Sequence, residues 1–280
     1  MRELHKEEII LAVKEMCITI NYQLSQDVLH AYQAACLKEE SSLSREIMEN
    51  LIKNADIARE RDLPLCQDTG MVIVFVEIGQ DLHIAGGDVT QAIQEGVRQG
   101  YREGYLRKSV VKDPLIRENT GDNTPAIIYY DIVPGEKLKI MLSAKGFGSE
   151  NMSKTKMLKP SDGIRGVEDF VIESVIQAGP NPCPPIIVGV GIGGTLDKAA
   201  YLAKKALLRP IGKYNELQHI QEMEKRLLEK INNLGIGPQG LGGKTTAFGV
   251  QIEVFPTHIA GLPVAVNLNC HISRHTEKVL

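Results

Sequence analysis

Two pairs of strand-like runs that follow one another with no helix between them constrain this chain more than any other feature. AIIYYDIV (residues 126–133) is separated from KLKIMLSAKG (137–146) only by a tight connection at Pro134-Gly135. AFGVQIEVF (247–255) is likewise followed directly by PVAVNLNC (263–270). A purely parallel sheet needs a long crossover between strands, so these runs demand a mixed sheet. The remaining runs, MVIVFVEIG (71–79) and PPIIVGV (184–190), are rich in Val and Ile and bounded by glycine or proline, as buried strands are.

Helical periodicity fills the intervals. Apolar residues recur at helical spacing through most of the first sixty residues, in runs beginning near Glu7, at Asp27–Leu37 and at Ser44–Arg61. Another run spans Asp88–Tyr105, with Ala92, Ile93, Val97 and Tyr101 facing inward. Ser161 is the expected N-cap of a helix through Ile164, Val167, Phe170, Val171 and Val175. Thr195–Leu208 and Asn215–Leu234 complete the set. The sequence therefore predicts an α+β fold, a mixed β-sheet flanked by helices with a helical N-terminal region. No repeat or long linker interrupts it, so residues 1–280 are expected to form a single domain, with room for two lobes.

With 280 residues, 43% hydrophobic and 24% charged, the chain has the composition of a globular protein and needs no disulfide or metal staple to build a core. The net charge of −3 gives no electrostatic footprint for nucleic acid or for an anionic membrane, and the chain has no Trp. The N-terminal apolar run IILAV is too short and too charge-flanked for a leader or a span, which predicts a cytoplasmic protein with reduced thiols.

Five cysteines then become informative. Cys17 and Cys36 lie within amphipathic helices, as small buried hydrophobes do. Cys66 (Pro-Leu-Cys-Gln-Asp-Thr-Gly), Cys183 (Asn-Pro-Cys-Pro-Pro) and Cys270 (Asn-Leu-Asn-Cys-His) stand instead at strand ends, where turns build sites. They are far apart in sequence and fit no compact zinc or ferredoxin spacing, so isolated structural cysteines remain an open reading. Three thiolates would also suit a 4Fe–4S cluster with one iron free of protein ligand, whose chemistry is Lewis-acid elimination of water.

Other motifs offer weaker signals. Gly189-Val-Gly-Ile-Gly-Gly194 has dinucleotide-loop spacing, but no later strand ends in the acid that would seat a ribose. Gly240–Thr245 resembles a phosphate loop with Pro238 where its first glycine belongs, leaving only a flexible anion-binding turn. Gly146–Asn151 combines backbone amides with hydroxyl and amide groups suited to a carboxylate. His271 and His275 could bind metal if they share a helix face, or belong to an exposed tail around Arg274. Arg107 could clamp a carboxylate in two-pronged fashion, and Asp68 and Gln67 add a carboxylate and an amide next to Cys66.

In order along the chain, Leu65–Gly70, Lys145–Asn151, Lys156–Gly163, Cys183-Pro-Pro185, Gly189–Gly194 and Gly235–Gly240 resemble the N-terminal region of iron–sulfur class I fumarases. The resemblance covers nearly the whole chain and is similar to the separate alpha subunit of a two-subunit fumarate hydratase, with L-tartrate dehydratase alpha (tartrate to oxaloacetate) as the alternative. It implies a hydro-lyase that hydrates fumarate reversibly to L-malate, as in the tricarboxylic acid cycle. It further implies a 4Fe–4S cluster on Cys66, Cys183 and Cys270, with Asp68 catalytic and Gln67, Arg107, Gly146 and Gly148 lining the dicarboxylate. Phe147 stands where a third glycine is expected, which stiffens that loop. The family's catalytic threonine belongs to a further domain, so a fumarase beta subunit is the implied partner, with a small dicarboxylate as substrate. A redox-sensing or structural cluster protein and a nucleotide-binding protein are the competing classes.

Overall fold

A computed structural model describes residues 2–280. In chain order its elements are β1 (Arg2–His5), α1 (Lys6–Tyr22), α2 (Gln26–Lys38), α3 (Ser42–Arg61), β2 (Met71–Gly79), β3 (Leu82–Ala85), α4 (Val89–Glu103), β4 (Ile127–Val133) and β5 (Leu138–Lys145). There follow a single helical turn, α5 (Phe147–Glu150), then β6 (Lys154–Leu158), α6 (Gly163–Ala178), β7 (Ile186–Gly193), α7 (Leu196–Ala206), α8 (Gln218–Asn232), β8 (Ala247–Phe255), β9 (Leu262–Asn269) and β10 (His275–Val279). The architecture is α+β, as the sequence predicts. Among the described residues no helix is long and apolar enough to cross a membrane.

The chain divides into two compact units. The first comprises Met1–Ser25, Ala55–Phe147 and Arg274–Leu280, the second Gln26–Asn54 and Gly148–Ser273. Each unit has its own mixed four-stranded sheet, with order β10-β5-β2-β4 in the first and β6-β9-β7-β8 in the second, while β1 and β3 form a small parallel pair.

In the first unit, β4 and β5 do not pair with each other across Pro134-Gly135. Both pair with β2, β4 in parallel and β5 antiparallel. The connection passes over the end of β2, where the Gly79 N–H bonds to the Lys137 carbonyl and the Asp81 N–H to the Gly135 carbonyl. Gly79 is required there, because a Cβ would lie 2.4 Å from the Gly135 oxygen. The core joins Val72, Val74 and Val76 of β2 to Ile9 and Val13 of α1 and Ile93, Val97 and Tyr101 of α4. Burying each of the larger aliphatic side chains contributes about 1.5–3 kcal/mol. Asp88 caps α4 by accepting the Gln91 N–H at 2.7 Å. Gly96 and Gly100, one turn apart, let α4 approach α1; Cβ atoms there would stand 2.7 Å from Val13 Cβ and 2.9 Å from Cys17 Cβ. The predicted tail around His275 is strand β10, antiparallel to β5.

In the second unit, β7 runs parallel to β8 and antiparallel to β9. Helix α6 begins at Gly163, after a 3-10 turn at Pro160–Asp162. Ser161 lies inside that turn rather than capping the helix, and Asp162 closes the turn by accepting the Lys159 N–H at 2.8 Å.

Candidate active site

The turn Leu65–Gly70 of the first unit links α3 to β2 and is held at both ends. The Leu65 N–H donates to the Asn21 carbonyl at 2.8 Å. Gly70 adopts φ +77°, and a Cβ there would lie 2.8 Å from the Ala144 and Lys145 backbone, so only glycine lets the turn lie against β5. The Thr69 hydroxyl donates to the Arg107 carbonyl at 2.9 Å, and the Tyr101 hydroxyl donates to the Thr69 carbonyl at 2.6 Å. Asn123 accepts the Ser109 N–H and donates to the Gly70 carbonyl, tying the loop after α4 to the same turn.

Three consecutive residues then present a thiol, an amide and a carboxylate. The Cys66 thiol donates to Gln67 Oε1 at 3.3 Å and accepts the Asp68 N–H at 3.4 Å. Asp68 Oδ1 accepts the Gly70 N–H and Oδ2 the Phe147 N–H, each at 2.9 Å. Both oxygens are thus oriented by backbone donors, and each keeps a lone pair for another partner. A Cβ placed on buried Gly146 would stand 3.2 Å from Asp68 Oδ2 and 3.4 Å from Arg274 Nη2. Arg274, passed over in the sequence as part of a tail, is 2% exposed. No local pattern marks it; only β10 carries it to this turn. The Arg107 side chain is exposed and only its backbone is tied to the turn.

In the second unit, Cys183 is exposed at φ +56°, a left-handed conformation that costs a non-glycine residue about 1–3 kcal/mol. Its N–H donates to the Pro180 carbonyl at 3.0 Å, and its own carbonyl accepts the His271 N–H at 3.2 Å. That last bond brings the Cys183 backbone against the residue following Cys270. The Pro184 carbonyl accepts both the backbone and the side-chain N–H of Gln239. The loop after β9 is anchored by Tyr32, whose hydroxyl is hydrogen-bonded to His271 Nδ1 and whose ring packs 4.9 Å from that of Phe248. Burial, reinforced by the neighbouring Cys270, holds the Tyr32 hydroxyl well above the usual phenol range. Gly148 is exposed, and a Cβ there would meet nothing closer than the Asn181 carbonyl at 3.8 Å.

The sequence matches the family described as fumarate hydratase (Fumerase) over residues 10–279. A Methanocaldococcus jannaschii protein provisionally named L(+)-tartrate dehydratase subunit alpha is 48% identical over 261 residues, covering 91% of each chain. The L(+)-tartrate dehydratase subunit alpha of Escherichia coli UTI89 is 33% identical over 282 residues, covering 98% of this chain and 92% of its own, and that of strain K12 is 32% identical over the same length. The chain belongs to the class I fumarase family.

A fumarase-family chain is a hydro-lyase, and several motifs that suggested other chemistry have structural work instead. The glycines of Gly189–Gly194 lie mostly within β7 and admit α7. Cβ atoms at Gly189 and Gly191 would fall 2.2 Å and 2.0 Å from the carbonyl oxygens of Ala203 and Ala199, so the spacing serves helix–strand contact rather than a pyrophosphate. The anion expected at Gly240–Thr245 is the protein's own: Glu39, 1% exposed, accepts the Lys244 and Thr245 N–H groups at 3.0 Å and 2.7 Å. His271 and His275 share no helix, the first lying in a buried bend and the second opening β10. Glu150, from the Gly146–Asn151 motif, pairs with Lys204 and accepts the Asn267 amide at 3.0 Å.

Among the described residues, no three His, Cys, Asp or Glu side chains are grouped as a metal site. The donor chemistry of the family's thiols nevertheless fits an iron–sulfur group. Cys66, Cys183 and Cys270 are at least partly exposed at strand ends, whereas burial pushes the core thiol of Cys17 far up, away from ligation.

Proposed function

We propose that this chain is the alpha-type subunit of a hydro-lyase that hydrates fumarate reversibly to L-malate, acting with a beta subunit. The observation that carries the reading is the Cys66-Gln67-Asp68 turn, where a carboxylate held on both oxygens stands over the open α-carbon of Gly146. In this reading Asp68 accepts a hydrogen bond from the 2-hydroxyl of malate and orients it for departure. The exposed Gln67 amide and the backbone at Gly146 and Gly148 bind the adjoining carboxylate, and Arg107 clamps the distal one through two parallel bonds. The beta subunit supplies the group that removes the C3 proton.

Cys66, Cys183 and Cys270 would hold a 4Fe–4S group, and their placement on turns rather than in the core supports that role. When bound, the group supplies Lewis acidity toward the leaving hydroxyl. Thiolate ligation of this kind suits the reducing cytoplasm. A second reading, L(+)-tartrate to oxaloacetate, is favoured by the names of the relatives.

The test is anaerobic reconstitution of the full chain with iron and sulfide, followed by turnover of L-malate and L(+)-tartrate with the beta subunit present. Cys66→Ser, Cys183→Ser and Cys270→Ser are each expected to lose bound iron, while Cys17→Ser and Cys36→Ser retain it. Full iron in all five variants would end the cluster assignment. Turnover of tartrate but not malate would select the second reading.

A further inference from the structure

We infer that Arg274 is a positioning residue for the Cys66–Gly70 turn, setting where the Asp68 carboxylate stands relative to Gly146. The inference rests on the reading of Asp68 as an active-site group. Arg274 Nη1 donates to the Asp68 carbonyl at 2.5 Å and to Asn21 Oδ1 at 3.1 Å. Asn21 is itself fully buried near the end of α1, where its amide donates to the Cys17 carbonyl at 2.9 Å and its own carbonyl receives the Leu65 N–H. One buried asparagine therefore fixes the start of the turn directly and its centre through the guanidinium. From the same residue, Asp68, the carboxylate reaches forward to the Gly70 and Phe147 amides. Arg274 adds the connection between α1 and the backbone of the residue that carries the carboxylate.

Packing alone does not account for a guanidinium here. Arg274 is 2% exposed, bonds to no carboxylate among the described residues, and buries its Nε without an acceptor. A buried guanidinium that makes no direct bond to a carboxylate, with the Asp68 carboxylate on the other side of the Gly146 α-carbon, is costly, and an apolar side chain of similar volume stabilises a fold about as well. What the apolar side chain cannot do is grip the Asp68 carbonyl. The remaining nitrogen, Nη2, lies beside the α-carbon of Gly146, so the charge also faces the space that a side chain at 146 would fill.

The experiment compares wild type, R274K and R274M by amide hydrogen exchange on the intact chain and by malate kinetics on the reconstituted enzyme with its beta subunit. In R274M the Gly70 and Phe147 amides are expected to exchange at least about tenfold faster while those of β2 and β5 keep their rates. The same variant is expected to lose about 100-fold in kcat with KM within about threefold, as misplacement by an ångström does. R274K, which restores one donor, recovers at least about tenfold of that kcat. Unchanged protection at Gly70 and Phe147 would overturn the inference. So would a uniform loss across β2 and β5, which marks a purely structural residue, or a rise in KM alone, which marks a substrate ligand. If R274M does not accumulate, N21A removes the acceptor that fixes the guanidinium and is read against the same outcomes. A wild-type enzyme inactive on malate would remove the proposed reaction, while the exchange rates would still decide the role of Arg274.

Discussion

Asp68 and Phe147, 79 residues apart in sequence, meet through one bond, in which the Phe147 N–H donates to Asp68 Oδ2 at 2.9 Å. Asp68→Asn leaves one carbonyl oxygen for two backbone donors and turns an NH₂ toward one of them. Stability is expected to fall by about 1–3 kcal/mol, and hydro-lyase kcat by about 10²- to 10⁴-fold. Urea unfolding together with turnover reads both effects. A kcat within a few-fold of wild type would take the carboxylate out of the reaction.

Two glycines of the same motif should respond differently. Neither has positive φ, so alanine is backbone-compatible at both. At Gly146 the new methyl presses on Asp68 Oδ2 at 3.2 Å, whereas at Gly148 its nearest neighbour is 3.8 Å away. Gly146→Ala is expected to reduce kcat about tenfold or more by displacing the carboxylate. Gly148→Ala leaves the melting temperature within about 1 °C, because it introduces no overlap. Equal kinetics in the two variants would show that Gly146 is open for reasons unrelated to Asp68.

Gly191→Ala tests whether the glycines of β7 serve packing or a nucleotide. A Cβ 2.0 Å from the Ala199 carbonyl forces α7 off the sheet, and overpacking of this kind costs about 1–3 kcal/mol or more. The melting temperature should drop by several degrees, about 2–4 °C per kcal/mol, and neither wild type nor variant should bind NAD by titration. NAD binding that the substitution abolishes without loss of stability would reinstate the nucleotide reading.

Asp122 carries a pH signature. Burial raises its pKa, but hydrogen bonds from Arg98 Nε (2.8 Å), the Thr124 hydroxyl (2.7 Å) and the Thr124 N–H (3.0 Å) outweigh that and hold it at about 2. A carboxylate depressed below its unfolded value of about 3.9 stabilises the fold above that value and loses the contribution as pH falls toward the folded one. The stability gap between wild type and Asp122→Asn should therefore be full at pH 6 and narrow from about pH 4 toward pH 2. Urea midpoints across that range measure it, and a gap constant with pH would assign the effect to shape rather than charge.

Long, strongly patterned elements were legible because one face or both are buried. Strands β2, β8 and β9 and the helix with Ile93 and Tyr101 inward follow directly from their residues. The short strands were not. β10 reads His-Thr-Glu-Lys-Val, polar at four of its five positions, and is a strand only because β5 offers it a ladder. The flanking of β2 by β4 and β5 was likewise hidden, since a short connection usually makes a hairpin and here crosses a strand end. In the site, the Cys66–Gly70 turn was visible because its residues are contiguous. Arg274 was invisible because its partners, Asn21 and Asp68, are 253 and 206 residues away. The glycine-rich loops misled for the same reason: the atoms that exclude a Cβ at Gly191 belong to another element.

The first unit is woven from three separated stretches, and the last of them, Arg274–Leu280, brings both β10 and the guanidinium. During synthesis the ribosome makes Asp68 206 residues before Arg274. At about 5–20 residues per second, the turn waits about 10–40 s for the side chain that grips it. A nascent chain thus carries Cys66 in a turn that has its other anchors but not the Arg274 bond for that interval, so the order of translation itself delays when this thiol takes up its final setting.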